Sequence, residues 1–337
     1  MRTRLFGLWT LALATGCTGV SGAGTAAGRV APAIPTLPTE PAAALRVMTF
    51  NIRYGTAADG DDSWPNRRGL AIRVIRDFGP VVLGLQEALR FQLDELGREL
   101  PIYGEVGVGR DDGAQAGEYA AILYDRRRLD LLGDGHFWLS DSPELPGSMT
   151  WGNRYPRIVT WARFRDRVAG TTFLAVDTHW DHESQEAREK SARLMRHRLL
   201  PTYGNDGEPL LVMGDLNCSA DNPAFRLLLE RDPGLDDNVG VGLADTFAAL
   251  FPKGVGGSGT FHGFKGSRGG AKIDFVLVWP LRERSLAAPP PGARQEWRVL
   301  QADIVHTHQG DLYPSDHFPV TAVVMLADIA GGAAPAP

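Results

Sequence analysis

The stretch Leu210-Leu211-Val212-Met213-Gly214-Asp215-Leu216-Asn217 decides how this chain is read. Residues 210–214 are a short apolar run of the kind that makes a strand, and Asp215 and Asn217 follow where that strand ends. In α/β folds, ligands gather at strand ends. Two polar residues spaced two apart on an extended turn can face one pocket together.

Outward from this stretch the arrangement recurs. Asn51 follows Val47-Met48-Thr49-Phe50, Gln86 and Glu87 follow the apolar residues 81–85, and His179 follows residues 173–178. Asp274 sits inside the apolar run 273–278, and Asp316-His317 stands just before another at 320–326. Further strands are expected at 118–124, 157–165, 171–178, 272–279 and 297–305. Helical spacing marks residues 67–78, closed by Gly79-Pro80, and residues 91–100, closed by Pro101. It also marks 183–200, closed by Pro201, and 223–230. Helices follow strands at both ends of the chain, and strands dominate its middle. The expected fold is α/β, with two mixed β-sheets packed face to face and helices outside; one doubly wound sheet is the alternative. Residues 254–270 are Gly-rich and read as a mobile loop.

The chain has 337 residues, 43% hydrophobic and 22% charged, as a soluble globular protein would. Its net charge of −5 comes with no basic run, so the stripe expected of a strong non-specific DNA binder is missing. An anionic substrate stays open, because a bound divalent metal inverts the local charge. Residues 1–17 carry Arg2 and Arg4, an apolar run, then Thr15-Gly16-Cys17, and read as a secretory signal. The run is shorter than the roughly 20 apolar residues that span a membrane. Small residues before Cys17 resemble a bacterial lipobox, although Ala14 stands where Leu is usual. The expectation is export, periplasmic or cell-surface, as a lipoprotein anchored through Cys17 or as a secreted protein. Residues 18–44 read as a low-complexity tether, 45–327 as the folded domain, and 328–337 as a tail. Cys218 is then a lone core thiol.

The polar set suits phosphate-ester chemistry. Carboxylates favour a hard cation, Mg²⁺ or Mn²⁺, and Glu87 is the strongest single ligand candidate. Histidines supply acid–base groups near neutral pH. A carboxylate beside each histidine is expected to fix its tautomer and raise its basicity and pKa.

The blocks Thr49-Phe50-Asn51-Ile52-Arg53, Gln86-Glu87, Gly117-Glu118-Tyr119, Asp177-Thr178-His179, Gly214-Asp215-Leu216-Asn217, Ile273-Asp274-Phe275 and Ser315-Asp316-His317-Phe318-Pro319 occur in this order. Together they resemble the endonuclease/exonuclease/phosphatase superfamily of deoxyribonuclease-like, metal-dependent phosphoesterases. The resemblance extends from Met48 to Pro319, and seven ordered blocks are far more specific than Gly-Asp-x-Asn alone. It implies a four-layer α/β sandwich. It also implies Mg²⁺ on Glu87 with Asn51 and Asp316 in the cluster, Asp215 orienting water, and Asn217 binding the scissile phosphate. His317 oriented by Asp274, and His179 near Glu118, would hold or protonate phosphate oxygens. Arg157, His182 and Tyr119 are the expected substrate contacts. Residues 59–68, Val108-Gly109-Arg110-Asp111-Asp112-Gly113 and Thr178-His179-Trp180-Asp181-His182 resemble an exported bacterial branch.

Taken singly, each residue has a plainer reading. Asn51 would cap a turn, Glu87 would pair with Arg90, His179 would be a core histidine, and Asp274 would pair with Lys272. The ordered set sets these aside. The expected activity is a Mg-dependent phosphodiesterase, nuclease-like, acting as a monomer on nucleic acid, nucleotide or phospholipid headgroup. Phosphomonoesterase or phospholipid-headgroup phosphodiesterase is the alternative. Two other readings are a zinc hydrolase on His179-x-x-His182, which lacks a preceding His because position 177 is Asp, and an inactive surface binding module. Trp64, Trp151 and Trp180 are candidates to stack on a base or sugar.

Overall fold

The computed structural model describes residues 40–204, 208–229, 243–280 and 295–328. The segments expected to be a leader with Cys17, a tether and a tail fall, as residues 1–39 and 329–337, outside the described residues. The chain divides into Met1–Glu40 and Pro41–Pro337, and every element named belongs to the second unit. The strands are β1 (Leu45–Asn51), β2 (Val82–Ala88), β3 (Tyr103–Val106), β4 (Tyr119–Asp125), β5 (Leu129–Trp138), β6 (Ile158–Asp166), β7 (Thr172–His179), β8 (Leu210–Asp215), β9 (Ala244–Asp245), β10 (Asp274–Trp279), β11 (Gln295–Ile304) and β12 (Val320–Asp328). The α-helices are α1 (Trp64–Phe78), α2 (Arg90–Glu99), α3 (Gln185–Gly204), α4 (Pro223–Leu229) and α5 (Thr246–Leu250).

The strands form two six-stranded mixed sheets, ordered β11-β12-β1-β2-β4-β3 and β5-β6-β7-β8-β10-β9. In each, one central pair is parallel, β1 with β2 and β7 with β8, and its other neighbours are antiparallel. Side chains alternate between the two faces of a strand, and the apolar ones build three large cores, with a small fourth cluster at Ala120, Trp138 and Ile158. Leu45 and Val47 of β1 meet Phe173, Ala175, Leu211 and Met213 of the second sheet between the sheets. Met48 and Phe50 of β1 turn outward onto Leu70, Val74 and Ile75 of α1 and Leu93 of α2. Leu174, Val176, Leu210 and Val212 turn outward onto Ala192 and Met195 of α3 and Phe225 of α4. Three cores separate four layers, which is the expected sandwich.

Three expectations of detail change. Helix α3 does not stop at Pro201 but runs to Gly204. A proline late in a helix removes a single backbone donor, so one more turn can still form. Strands β3 and β5 carried too little alternation to be read. β5 has the mixed sequence Leu129-Asp130-Leu131-Leu132-Gly133-Asp134-Gly135 at a sheet edge. Trp64, Trp151 and Trp180 are also not free to stack on a ligand: they are 2%, 6% and 0% exposed and belong to the cores.

Gly214 marks where the second sheet is tightest. A Cβ there would press into the Thr178 carbonyl oxygen of the parallel neighbour β7. The glycine lets β8 close on β7 one residue before Asp215, which pairs in register with His179.

Candidate active site

The inward-facing residues of the central strands change from apolar to polar at one end of the sandwich. On the second sheet, Arg157 precedes β6, His179 ends β7, Asp215 ends β8 and Asp274 begins β10, so the four sit side by side. On the first sheet, Asp316 and His317 precede β12, Asn51 ends β1, Glu87 lies in β2 and Glu118 precedes β4. The two rows bound a cavity of about 740 Å³. Glu87, Glu118, Arg157, His179, His182, Asp215, Asn217, Asp316 and His317 all line it. Asn51 and Asp274 stand directly behind this lining, hydrogen-bonded to Asp215 and to His317.

Glu87 is aimed by its backbone. Alternation along β2 sends Leu83 and Leu85 outward to the helices and would send Glu87 after them. Instead the ladder with β4 slips after Leu85, and Glu87 adopts φ 59°. A bulge re-aims a side chain in this way. Four non-glycine residues among those described have positive φ: Arg53, Glu87, Asn217 and Phe264. All four line this cavity. Such backbone costs of order 1–3 kcal/mol per residue and persists where surrounding structure imposes it, commonly at functional sites.

Two carboxylates of the metal set face the cavity with few partners of their own. Glu87 Oε1 accepts from Asn51 Nδ2 at 3.0 Å and Oε2 from the Tyr54 amide at 3.1 Å. Asn51 also donates to Asp215 Oδ2 at 3.0 Å, joining both rows. Burial raises the Asp316 pKa; His317 opposes the rise and Glu87 adds to it. Arg53 stands 3.8 Å from Asp316 and holds Asp59 at 3.0 Å. Oxygen donors with excess negative charge fit a hard divalent cation. Asp215, Asp274 and His317 also bring ligand-type atoms within 4.8 Å of one another. There, however, the imidazole and Asp274 already satisfy each other.

His317 Nδ1 donates to Asp274 Oδ2 at 2.9 Å, and its Nε2 lies 3.8 Å from Asp215 Oδ2. Burial disfavours a charged ring, but Asp274, Asp215 and Asp316 outweigh it and hold the His317 pKa well above the usual value. His179 Nε2 lies 3.6 Å from the same Asp215 oxygen. Asp215 itself is pushed up to about 7, by burial first and then by Asp274. Asn217 donates its amide N–H to Asp215 Oδ1 at 2.9 Å and its side-chain Nδ2 to the Trp180 carbonyl at 3.0 Å. Of the plainer readings, Asn51 does hold its turn, with Oδ1 accepting from the Arg53 amide at 3.0 Å, but the pairings of Asp274 with Lys272 and of Glu87 with Arg90 do not form. Lys272 pairs with Asp245 at 3.2 Å, and Arg90 with Glu105 and Asp94.

Three expectations need correction. Glu118 does not hydrogen-bond His179: its Oε2 is 4.0 Å from Nδ1, while Oε1 takes Arg110 at 2.7 Å. Consequently the His179 pKa is not raised. Burial, then Arg157 and Arg110, hold it well below the usual value, and its Nδ1 has no partner. Tyr119 is not a substrate contact. It is 2% exposed, shares its outward face with Ala121 and Leu123, and donates its hydroxyl to the Ala114 carbonyl at 3.0 Å. A zinc pair does not form either, because His182 Nδ1 accepts from Arg157 Nη2 at 2.8 Å and Nε2 faces Glu183 at 3.3 Å.

Residues given no role in the sequence also line the cavity: Arg53, Asp59, Arg110, Tyr155, Phe261 and Phe264. Arg110 and Asp59 lie in stretches that mark the bacterial branch. Tyr155 and Phe261 lie in loops without pattern, and His317 is placed against Phe261 only by an isolated antiparallel bridge. The branch stretch Trp64-Pro65-Asn66-Arg67 acts from behind. Buried Arg67 donates to the carbonyls of Ile52, Arg53, Asp62 and Pro314, fastening the segment after Asn51 to the one before Asp316.

A family model described as endonuclease/exonuclease/phosphatase family matches residues 48–317. An endonuclease/exonuclease/phosphatase structure from Bacteroides vulgatus is 32% identical, covering 84% of this chain and 99% of its own, with a TM-score of 0.70. A mannosyl-6-phosphatase from Bacteroides thetaiotaomicron is 27% identical, covers 84% and 99%, and superposes with a TM-score of 0.68. The catalytic domain of human nocturnin with a bound sulfate anion shares the fold at 15% identity, covering 84% and 95%, with a TM-score of 0.63.

Proposed function

The chain belongs to the endonuclease/exonuclease/phosphatase family, and from that premise we propose that it is a Mg²⁺- or Mn²⁺-dependent hydrolase of small phosphate esters. One observation carries this reading. His179 Nε2 and His317 Nε2 approach the same Asp215 oxygen, at 3.6 and 3.8 Å, beside the strained Glu87. When bound, the cation neutralises phosphate charge and lowers the pKa of a coordinated water; Glu87, Asp316 and Asn51 are the residues that would hold it. Asp215 accepts a proton from the attacking water, being a carboxyl whose pKa lies close to neutral. Protonated His317, fixed by Asp274, donates a hydrogen bond through Nε2 to a phosphate oxygen, the P–O bond to the alcohol breaks as the water oxygen bonds to phosphorus, and the departing oxygen takes up a proton from solvent. Neutral His179 donates one N–H on the opposite side, and Asn217 holds another oxygen.

Among ester classes we place phosphomonoesters first, ahead of the diesters that the sequence suggests. The net charge of −5 and the bounded cavity suit a small substrate better than long nucleic acid. The likeness to a mannosyl-6-phosphatase supports a phosphorylated sugar. Paired assays with p-nitrophenyl phosphate and bis-p-nitrophenyl phosphate, with and without a chelator, test this. Faster turnover of the monoester that disappears with the metal is expected. Turnover unaffected by chelation would remove the metal reading, and a preference for the diester would reverse the ester class. Export, with lipidation or plain cleavage near Cys17, belongs to the same proposal. Mass spectrometry of the native N-terminus tests it, and a retained leader would refute it.

A further inference from the structure

One end of the cavity is left unused by the chemistry at Asp215. Arg110 and Arg157 line it and are 6% and 3% exposed. Arg157 gives Nη2 to His182, and its Nε stands 3.6 Å from Asp181 Oδ2, too far to hydrogen-bond. Arg157 Nε and Nη1 and Arg110 Nε are buried with no acceptor. An unmatched buried donor is costly, more so on a charged group; Arg157 Nε has the Asp181 carboxylate beside it, whereas Arg157 Nη1 and Arg110 Nε call for acceptors brought from outside. Tyr155 closes the wall: it is 39% exposed, its ring stacks on His182, and the Arg110 guanidinium lies over it.

This wall is displaced from the reacting centre. Asp215 and His179 face each other across β8 and β7, and Arg157 enters β6, one strand further out. Strands lie about 4.8 Å apart, so the backbone of Arg157 stands one strand spacing beyond His179 and two beyond Asp215.

We propose that Arg110 and Arg157, walled by Tyr155 and His182, form a subsite for a second anionic group of the substrate, a carboxylate or phosphoryl group distinct from the phosphate that reacts. The proposal rests on the phosphoesterase reading and narrows its substrate to a doubly anionic, sugar-sized ester. Glu118, bound to Arg110 at 2.7 Å, holds that guanidinium against the wall without occupying its Nε.

The test compares matched probes on the purified protein with Mg²⁺: fructose 1,6-bisphosphate against fructose 6-phosphate, and 6-phosphogluconate against glucose 6-phosphate. Expected is a kcat/KM at least tenfold higher for the doubly anionic member of one pair, and the pair that shows it identifies the anion. In Arg110→Met and Arg157→Met that ratio should fall toward one, whatever happens to absolute rates. A wild-type ratio of one or less overturns the subsite, and this arm stands even if a variant fails to fold. So does an equal loss on both members of a pair, which would place the arginines on the reacting phosphate. Turnover of p-nitrophenyl phosphate separates the two failures. If it is hydrolysed while the ratios stay at one, only the subsite falls; if nothing is hydrolysed, the phosphoesterase reading falls with it.

Discussion

Replacing Asp274 by Asn tests the part of the site on which the proposed chemistry most depends. The side chain keeps its shape and loses its charge. In the wild type, Asp274 Oδ2 accepts from His317 Nδ1 at 2.9 Å, with the two residues 1% and 4% exposed. A hydrogen bond to a charged group contributes roughly 1.5–3 kcal/mol, which is about one to two pKa units at 1.36 kcal/mol per unit. Without the carboxylate, burial of His317 is opposed chiefly by Asp215 and Asp316, so its pKa should drop. Loss of the charge alone should lower turnover about 10- to 150-fold, and toward 10⁴-fold if the ring is also misoriented. The sign for stability follows from the raised pKa. Protonated His317 stabilises the fold fully below about 6.5, and this is lost as pH rises through the higher folded value. The Asn variant should therefore show a flatter fall in stability on the alkaline side. NMR titration of the imidazole and steady-state turnover of p-nitrophenyl phosphate read both effects. Turnover within threefold of wild type, with an unchanged His317 titration, would show that Asp274 neither charges nor orients this histidine.

Glu87→Gln should require much higher Mg²⁺ for half-maximal activity while melting near the wild-type temperature; an unchanged metal titration would exclude Glu87 as a ligand. Arg67→Met leaves four carbonyls without their donor, and at about 1–3 kcal/mol for a buried unsatisfied group it should cost at least 3 kcal/mol in urea unfolding. A smaller loss would mean that those segments hold without the clamp. Tyr119→Phe removes one hydroxyl bond, worth about 1 kcal/mol, and should leave KM unchanged; a raised KM would restore Tyr119 as a substrate contact. His262 has its pKa lowered to about 4 by burial, with His317 next. Being depressed, it must take up a proton on unfolding between about pH 6.5 and 4, so its contribution is lost as pH falls. His262→Phe should therefore gain melting temperature relative to wild type as the buffer is taken from pH 7 to 4, and a constant difference would contradict the shift.

Much of the site was legible because period-two alternation and strand ends are local. Val47 and Thr49 place Asn51 inward, and Ala175 and Asp177 place His179 inward, by counting alone. The same count, applied to Tyr119 with Ala121 and Leu123, would have turned that tyrosine outward. The order of the seven blocks then assembled these ends into one family, and the structural relatives agree.

Other features required the fold. Glu87 points into the cavity only because a bulge against β4, more than thirty residues away in sequence, breaks the alternation that would send it outward. The two histidines look alike in sequence yet titrate in opposite directions. His317 meets Asp274, 43 residues away, whereas His179 is buried beside Arg157 and Arg110 while Glu118 turns to Arg110. Composition and spacing determined which residues would meet at the strand ends. Their charge states are set by desolvation and by distances of a few ångströms between residues remote in sequence, which are fixed only when the two sheets close face to face.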